Sequence, residues 1–219
     1  MEDVKIVDIR SKSYPSLLKN ITNPPKVLYV RGEIYPEENC FAVVGSRECS
    51  FYGKQVANEI SGDLSESGLI IVSGLASGID AVAHRAAVKN KKRTIGVLGT
   101  GVDDESFYPK ENLSLAREVI GNNGCLISEY PPGTRGSKFS FPQRNRIITG
   151  LSLGILVVEA KEKSGSLIAA QWAKKQERKI FSVPGSVYFP NSKGTNFLIK
   201  NGAILTENAK DILKELKMV

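Results

Sequence analysis

Short runs of β-branched and aliphatic residues alternate along this chain with segments of helical periodicity, and most runs end at glycine or a small polar residue. The apolar runs lie at 41–44, 69–72, 94–98, 125–127, 154–158 and 179–183. Helical spacing is found at 53–67, 79–89, 112–120, 144–151, 166–176 and 208–216. Strands that are apolar on both sides must be covered on both sides, so the alternation predicts an α/β fold. We expect a doubly wound, mostly parallel, Rossmann-like sheet with helices on both faces.

The length of 219 residues allows one generous domain with a small appendage. Residues 1–38 contain four prolines and one strand-like run at 27–30, and are predicted to form a short N-terminal extension. Residues 39–219 are predicted to form the Rossmann-like domain. No apolar run approaches the length of about 18–20 residues that crosses a bilayer, and the N-terminus lacks the layout of a signal peptide. A cytoplasmic protein without membrane contact is expected.

The cysteines and the histidine exclude several kinds of site. The three cysteines are widely spaced and form no C-x-x-C pair, so neither a disulfide framework nor a zinc site is predicted. His84 is the only histidine, which rules out a two-histidine metal site. The chain has no G-x-x-x-x-G-K-[ST] motif, and no G-x-G-x-x-G follows the first strand of the predicted domain, so a bound nucleotide cofactor is not indicated. We expect no metal, no cofactor and no catalytic residue.

Positive charge is concentrated in the second half of the chain. The net charge is +7, and residues 138–200 contain eleven basic and three acidic residues. Within this stretch, cations alternate with aromatic residues from Lys138 through Phe139 and Phe141 to Arg144 and Arg146. Cations neutralise phosphates and an exposed ring stacks on a base, so the pattern suits single-stranded nucleic acid. The alternative is that both phenylalanines are core anchors and that the arginines cap a helix or pair with acids.

Glycine and serine clusters follow several of the predicted strands. In a parallel α/β sheet, ligands bind beyond the carboxyl ends of the strands, where helix N-termini offer free backbone N–H groups. Glycine allows close approach of a phosphate, although tight turns need glycine whatever the function. The clusters are Gly45-Ser46-Arg47, Ser73-Gly74, Gly99-Thr100-Gly101 and Ser164-Gly165-Ser166.

Taken together, the ordered motifs resemble those of the DNA-processing protein A family, also called DprA or Smf. The motifs include Val44-Gly45-Ser46-Arg47, Ser73-Gly74-Leu75-Ala76-Ser77-Gly78-Ile79-Asp80, Phe141-Pro142-Gln143-Arg144-Asn145-Arg146, Ser164-Gly165-Ser166 and Val183-Pro184-Gly185. The resemblance implies a non-enzymatic homodimer that binds and protects single-stranded DNA entering the cell during natural transformation and loads the RecA recombinase. Many members of the family carry a helical domain before the core and a winged-helix-like domain after it. Here a short extension takes the place of the first, and the second is not expected.

The resemblance also implies which residues contact DNA. Arg47, Lys138, Phe141, Arg144 and Arg146 would line the DNA pocket. Asn145 and the loop formed by Ser164, Gly165 and Ser166 would support phosphate contacts. The remaining expected contacts come from the glycine loops after the first two strands of the predicted domain, at Gly45, Ser46, Ser73 and Gly74.

The alternative function is that of a nucleotide-binding or nucleotide-hydrolysing Rossmann-like protein of the phosphoribohydrolase type. Such enzymes use a loop glutamate for acid–base chemistry, and Ala169 stands at the corresponding position here. Glu129 and Glu159 lie at strand ends, where a carboxylate more often fixes a loop than performs catalysis. His84 lies one turn after Asp80, so a structural hydrogen bond to that carboxylate is expected.

Overall fold

The computed structural model describes residues 4–218, and its central feature is one mixed β-sheet that runs through the whole of that segment. Within those residues nine strands lie in the order β1-β2-β6-β5-β4-β3-β7-β8-β9. Along the sheet, every neighbouring pair in the series β6-β5-β4-β3-β7-β8-β9 is parallel. The pairs β1–β2 and β2–β6 are antiparallel. The strands are β1 Lys5–Asp8, β2 Val27–Gly32, β3 Cys40–Val44, β4 Ile70–Ser73, β5 Thr94–Val97, β6 Cys125–Ser128, β7 Gly154–Val157, β8 Lys179–Ser182 and β9 Ile204–Leu205.

Helices cover both faces of this sheet, as the alternation predicts. The described helices are α1 Ser16–Lys19, α2 Phe51–Glu66, α3 Ile79–Lys89, α4 Leu113–Gly121, α5 Ser140–Leu151, α6 Gly165–Lys175, α7 Pro190–Lys200 and α8 Ala209–Glu215, with a 3₁₀ turn at Lys110–Asn112. Side chains alternate along β3: Ala42 and Val44 pack with α1, α5 and α6, whereas Phe41 and Val43 pack with α2, α3 and α8. The predicted doubly wound, mostly parallel α/β fold is therefore confirmed.

The N-terminal segment contributes two strands to the same sheet. Val30 of β2 pairs with Ile127 of β6, and β1 pairs with the outer side of β2. Leu18 of α1 is fully buried in the same core cluster as Ile148 of α5. Residues 5–32 thus extend the sheet antiparallel at one edge. The predicted boundary at residue 38 lies between β2 and β3, and residues 1–3 and 219 lie outside the described part of the chain.

The strand order reverses between β3 and β7, and this reversal positions the site. From β3 the chain winds outward through β4, β5 and β6, and β7 then returns to pair with the other side of β3. The segment after β3 leads to α2 on one face, whereas the segment after β7 leads to α6 on the opposite face. Diverging loops at such a switch point leave a crevice beyond the carboxyl ends of the strands.

Four elements were not expected from the sequence pattern: β1, α1, α7 and β9. The segment that forms α7 reads PNSKGTNFLIK, in which proline, glycine and asparagine obscure the helical period, although Pro190 in the first turn is compatible with a helix. In β1, Lys5 and Ile6 are exposed and only Val7 is buried, so the strand has little apolar pattern of its own. Within residues 4–218, no helix has the length and apolar character needed to cross a membrane.

Candidate functional site

A cavity of about 530 Å³ occupies the switch point between β3 and β7. Its walls come from the segments after these two strands, from the loop after β4 and the start of α3, from α5 and the residue Lys138 before it, and from the first residues of α6. The structure brings ten of the thirteen predicted DNA-contacting residues to this cavity and leaves three outside its lining. The ten are Gly45, Ser46, Arg47, Lys138, Phe141, Arg144, Asn145, Ser164, Gly165 and Ser166.

The loop after β3 is held against the start of α3 by close backbone packing. Gly78 has a φ of +79°, and a Cβ built there would lie 2.2 Å from the carbonyl oxygen of Ser46. The backbone N–H of Ile79 donates to the same oxygen at 3.1 Å. A Cβ on Gly45 would lie 2.6 Å from Cγ1 of Ile79. These contacts fix the loop and leave Arg47 exposed at the cavity rim.

The N-terminus of α6 opens onto the cavity from the other side. Ser164 caps this helix: its Oγ accepts from the backbone N–H of Ser166 at 3.3 Å and lies 2.7 Å from the Oγ of Ser166. Asn145 reaches across from α5, and its Nδ2 donates to the carbonyl oxygen of Gly165 at 3.2 Å. A Cβ on Gly165 would meet nothing within 4 Å. Unsatisfied N–H groups and the helix dipole make such a terminus attractive to an anion.

Phe141 presents a partly exposed ring in the cavity wall. Two glycines make room for it: a Cβ on Gly136 would lie 2.4 Å from its Cζ, and one on Gly99 would lie 2.8 Å from its Cδ1. The ring centroid lies 5.9 Å from that of Tyr108, and the guanidinium of Arg47 lies 5.7 Å from it. Phe139 does not enter the core, because its side chain is 71% exposed. Phe141 lines the cavity and Phe139 does not, so Phe141 is the one in position to meet a ligand there.

Arg144 places a buried cation in the cavity. Its Nη1 donates to the carbonyl oxygens of Gly74, at 2.8 Å, and of Val97. Burial lowers the pKa of this guanidinium to about 10, and the nearby charge of Asp80 partly opposes that shift, so Arg144 remains a cation at neutral pH. A Cβ on Gly74 would lie only 2.2 Å from Nη1. Gly74 thus acts from outside the cavity lining by leaving space for the arginine.

Two further predicted contacts, Ser73 and Arg146, also lie outside the cavity lining. Ser73 is fully buried, and its Oγ donates to the carbonyl oxygen of Val43 at 2.6 Å. Arg146 is 5% exposed, and its Nη2 pairs with Oε2 of Glu129 at 2.6 Å. Residues two apart on a helix point about 200° apart, so α5 cannot turn both Arg144 and Arg146 toward one cavity. The alternative interpretation of this stretch, in which the arginines pair with acids, therefore holds for Arg146.

Sequence reasoning missed two cations of the cavity, Lys161 and Lys163. Nζ of Lys161 lies 2.8 Å from Oε2 of Glu48, and both side chains are exposed. Lys163 makes no ion pair with any residue between 4 and 218. The available signal was their place in the chain, because both follow β7 in the segment that leads to the serine loop.

Two carboxylates, Glu48 and Asp80, line the cavity among the residues that the structure describes. Asp80 is buried, and its Oδ2 accepts from the backbone N–H of Gly74 at 3.1 Å. Burial raises the pKa of Asp80, although Arg144 and the hydrogen bonds counteract this effect. Among residues 4–218, no group of three His, Cys, Asp or Glu side chains could hold a metal ion.

Two other candidate acid–base groups have structural contacts. Glu159 accepts from the backbone N–H of Ser50 at 2.9 Å and from Nδ2 of Asn191 at 3.2 Å, as expected of a carboxylate that fixes a loop. Nδ1 of His84 lies 2.8 Å from Oγ1 of Thr94, so its structural partner is this threonine and not the expected Asp80. The hydroxyl proton of Thr94 is used on the carbonyl of Ile71, so Oγ1 accepts from Nδ1. Burial lowers the pKa of the imidazole to about 3, so the ring is neutral at neutral pH.

Comparison with known proteins decides the family. The sequence profile of the family described as DNA recombination-mediator protein A matches residues 5–217. The chain belongs to this family. The DNA processing protein DprA of Bacillus subtilis is 45% identical to it over 217 residues, which cover 98% of this chain and 72% of that protein. The resemblance to the DNA-processing protein A family is thereby confirmed.

Solved structures of two members of the DNA recombination-mediator protein A family have the same fold. The structure of DprA from Streptococcus pneumoniae superposes with a TM-score of 0.90 at 42% identity, covering 98% of this chain and 75% of that one. DNA processing protein A from Helicobacter pylori gives a TM-score of 0.86 at 29% identity, covering 98% of this chain and 95% of that one. That second structure was solved to describe the single-stranded DNA binding mode of the Helicobacter protein.

Proposed function

We propose that this member of the family binds single-stranded DNA in the switch-point cavity, protects the strand and hands it to the RecA recombinase without altering it chemically. One observation carries the proposal: cations from separate segments of the chain meet around a single cavity that also holds an aromatic ring and a helix N-terminus. The cations are Arg47, Lys138, Arg144, Lys161 and Lys163. The relatives named above, and the single-stranded DNA that the Helicobacter protein binds, support it.

The chemistry of this cavity suits a sugar-phosphate backbone. Cations that neutralise phosphates release condensed counterions, which gives affinity without regard to base sequence. The N-terminus of α6 adds backbone donors for a phosphate oxygen. The partly exposed ring of Phe141 offers a face on which any base can stack. The site is therefore suited to an unpaired strand of arbitrary sequence.

The alternative, hydrolysis of a nucleotide, has no suitable carboxylate among the described residues that line the cavity. Ala169 lines the cavity, so the position where the phosphoribohydrolases have their glutamate carries only a methyl group. Of the two carboxylates present, Glu48 pairs with Lys161, and Asp80 accepts from the backbone of Gly74. A general base must reach the proton that it removes, and neither of these groups stands at the position of the phosphoribohydrolase glutamate.

The partners of the chain are also part of this proposal. The family resemblance implies a homodimer and a contact with RecA. For the homodimer, β9 is an edge strand of two residues, and Leu205 on it and Phe197 on α7 are exposed. An uncovered edge with apolar side chains is a natural surface for a second copy of the chain.

Two alanine substitutions test the DNA proposal. Arg47→Ala and Lys163→Ala should each weaken binding of a labelled oligothymidine of about 20 nucleotides, because each removes a cation that neutralises a phosphate. The dependence of log K on log salt should become shallower by about 0.7 for each phosphate of the single strand that is no longer neutralised. Fluorescence anisotropy at several salt concentrations measures both quantities.

The matched control is Lys174→Ala. Lys174 is an exposed lysine at the other end of α6, about 14 Å along the helix axis from Gly165. This variant should keep the affinity and the salt slope of the unaltered protein. If Arg47→Ala and Lys163→Ala also keep both, phosphates do not bind in this cavity and the proposal is wrong.

A further inference from the structure

Three exposed aromatic side chains lie at the start of α2 and just before the start of α7, and none of them is part of the cavity lining. Phe51 is 76% exposed, Tyr188 is 89% exposed and Phe189 is 65% exposed. Among residues 4–218, none of these rings stacks on another ring or a cation. We name these three residues the aromatic shelf. Aromatic rings in water carry a free-energy cost that burial or stacking removes, so a group of them is a candidate contact surface.

Hydrogen bonds join the segments that carry the shelf to the cavity rim. Glu159 accepts both from the backbone of Ser50, which precedes Phe51, and from Nδ2 of Asn191, which follows Phe189 by two residues. The same Nδ2 donates to the carbonyl oxygen of Glu48 at 2.9 Å, and Glu48 lines the cavity. The beginnings of α2 and α7 are thus joined to each other and to the rim.

The backbone that carries the shelf is fixed by tight packing. A Cβ on Gly53 would lie 2.5 Å from the carboxyl carbon of Glu159, so α2 begins in direct contact with this side chain. Oη of Tyr52 donates to the carbonyl oxygen of Pro184 at 3.0 Å. The backbone N–H of Ala160 donates to the carbonyl of Asn191 at 2.7 Å. The backbone from which the three rings project is therefore in place before a ligand arrives.

The size of the cavity requires a bound strand to continue outside it. A volume of about 530 Å³ lies within the range of pockets that hold one small organic ligand. Single-strand sites on other folds span about 4–16 nucleotides. Two further cations lie between the cavity and α7: Lys161 lines the cavity, and Lys193 lies on α7. The acids beside them are paired, Glu48 with Lys161 and Glu162 with Lys193.

We propose that the strand leaves the cavity over the rim at Glu48, beside the start of α7, and that its next bases stack on the aromatic shelf. This inference rests on the proposed function and extends it with a second contact surface for the same unpaired strand. Stacking accepts every base, as the cavity does, so the shelf lengthens the binding site without adding sequence preference.

Affinity as a function of strand length tests the shelf. Phe51→Ala and Tyr188→Ala should each lower the affinity for an oligothymidine of about 16 nucleotides roughly fivefold or more, the loss expected for one stacked base. Neither should change the affinity for a dinucleotide, which is small enough to bind in the cavity without reaching the shelf. Ultraviolet cross-linking followed by peptide mass spectrometry should attach the longer strand, and not the shorter one, to peptides containing Phe51 or Tyr188.

Tyr35→Ala is the matched control. Tyr35 is 50% exposed, precedes β3 and therefore lies toward the amino ends of the strands, away from the cavity. It should leave binding of both oligonucleotides unchanged. Circular dichroism of all three variants checks that each one folds.

The possible results separate the shelf from the cavity and from self-association. If Phe51→Ala and Tyr188→Ala bind the longer strand like the unaltered protein while Arg47→Ala is weakened, the shelf proposal fails and the cavity proposal stands. If Arg47→Ala also binds normally, the proposed function fails. If the shelf variants weaken both strand lengths equally and sediment as smaller particles, the surface contacts a second copy of the chain, which overturns the shelf proposal.

Discussion

At the scale of single residues, the site depends on space as much as on charge. Arg144 can place its guanidinium in the cavity only because Gly74 has no side chain there. Gly136 and Gly99 do the same for Phe141. The sequence showed the glycines as a group after the strands, where they suggested direct phosphate contacts. The structure shows that Gly74 serves a neighbouring side chain, a role that depends on a residue 70 positions away.

Gly74→Ala should therefore destabilise the protein. The added methyl group would overlap with a guanidinium that is buried and hydrogen-bonded to two carbonyl oxygens, so neither group has an easy way to move. Overpacking of this kind costs about 1–3 kcal/mol in the free energy of unfolding. Urea denaturation measures the loss, and DNA affinity should fall as Arg144 is displaced.

Gly62→Ala is the control for this substitution. Gly62 lies within α2, and a Cβ there would come no closer than 3.4 Å to the side chain of Asn90. Alanine favours a helix interior over glycine by about 1 kcal/mol, so this variant should be as stable as the unaltered protein or more stable. Equal stability of the Gly74→Ala and Gly62→Ala proteins would show that Arg144 is not confined.

At the scale of secondary-structure elements, the capped start of α6 is the part of the site with the clearest local sequence signal. A serine before an apolar helical pattern indicates an N-cap, and Ser164 makes that hydrogen bond. The same residue lines the cavity. Its hydroxyl therefore contributes both to the stability of the helix and to the position of the donors that face a ligand.

Ser164→Ala should lower the free energy of unfolding by about 0.5–2 kcal/mol, as removal of an N-cap does. It should also weaken DNA binding several-fold. Asn208→Ala is the comparison, because Asn208 caps α8, which has no residue in the cavity lining. That variant should lose a similar amount of stability and keep its affinity. Equal affinity of both variants would show that the α6 terminus does not contact the strand.

The elements that could be predicted are those whose own residues determine them. The apolar runs that form β3 to β8 are largely buried on both sides of the sheet, so their composition alone predicts these strands. In α7, Gly194 is buried against Ala160, and no periodic apolar pattern in the sequence predicts this contact. The orientation of Arg146 is decided by Glu129, which lies on another element. Such pairings need three-dimensional coordinates.

At the scale of the whole molecule, the stability of the fold is linked to pH through its single histidine. Burial of His84 lowers its pKa to about 3, against 6.5 for the exposed group. The unfolded chain therefore binds a proton that the folded chain rejects between these values. Stability from this group is complete above pH 6.5 and is lost as the pH falls toward 3. Burial raises the pKa of Asp80, which opposes this trend just above the ordinary aspartate value.

Proton NMR can follow this residue without ambiguity, because the sequence contains no other histidine. The imidazole signals of the folded protein should not titrate between about pH 8 and pH 5, and the free energy of unfolding should fall by about 2 kcal/mol from His84 over the lower part of that range. A titration midpoint near 6.5 in the folded protein would contradict the buried, neutral state of this side chain.

The pairing of β3 with β7 also affects how the molecule acquires its activity. These neighbours are separated by more than a hundred residues, so the two walls of the cavity are far apart in any partly folded chain. Contacts of such long range form slowly, since the intervening loop must first close. In a chain still emerging from the ribosome, or one in which this central pairing has opened, the cavity is not assembled, so the proposed phosphate contacts are not available. Only finished copies can compete for DNA, and each bound strand in turn favours the finished state by mass action.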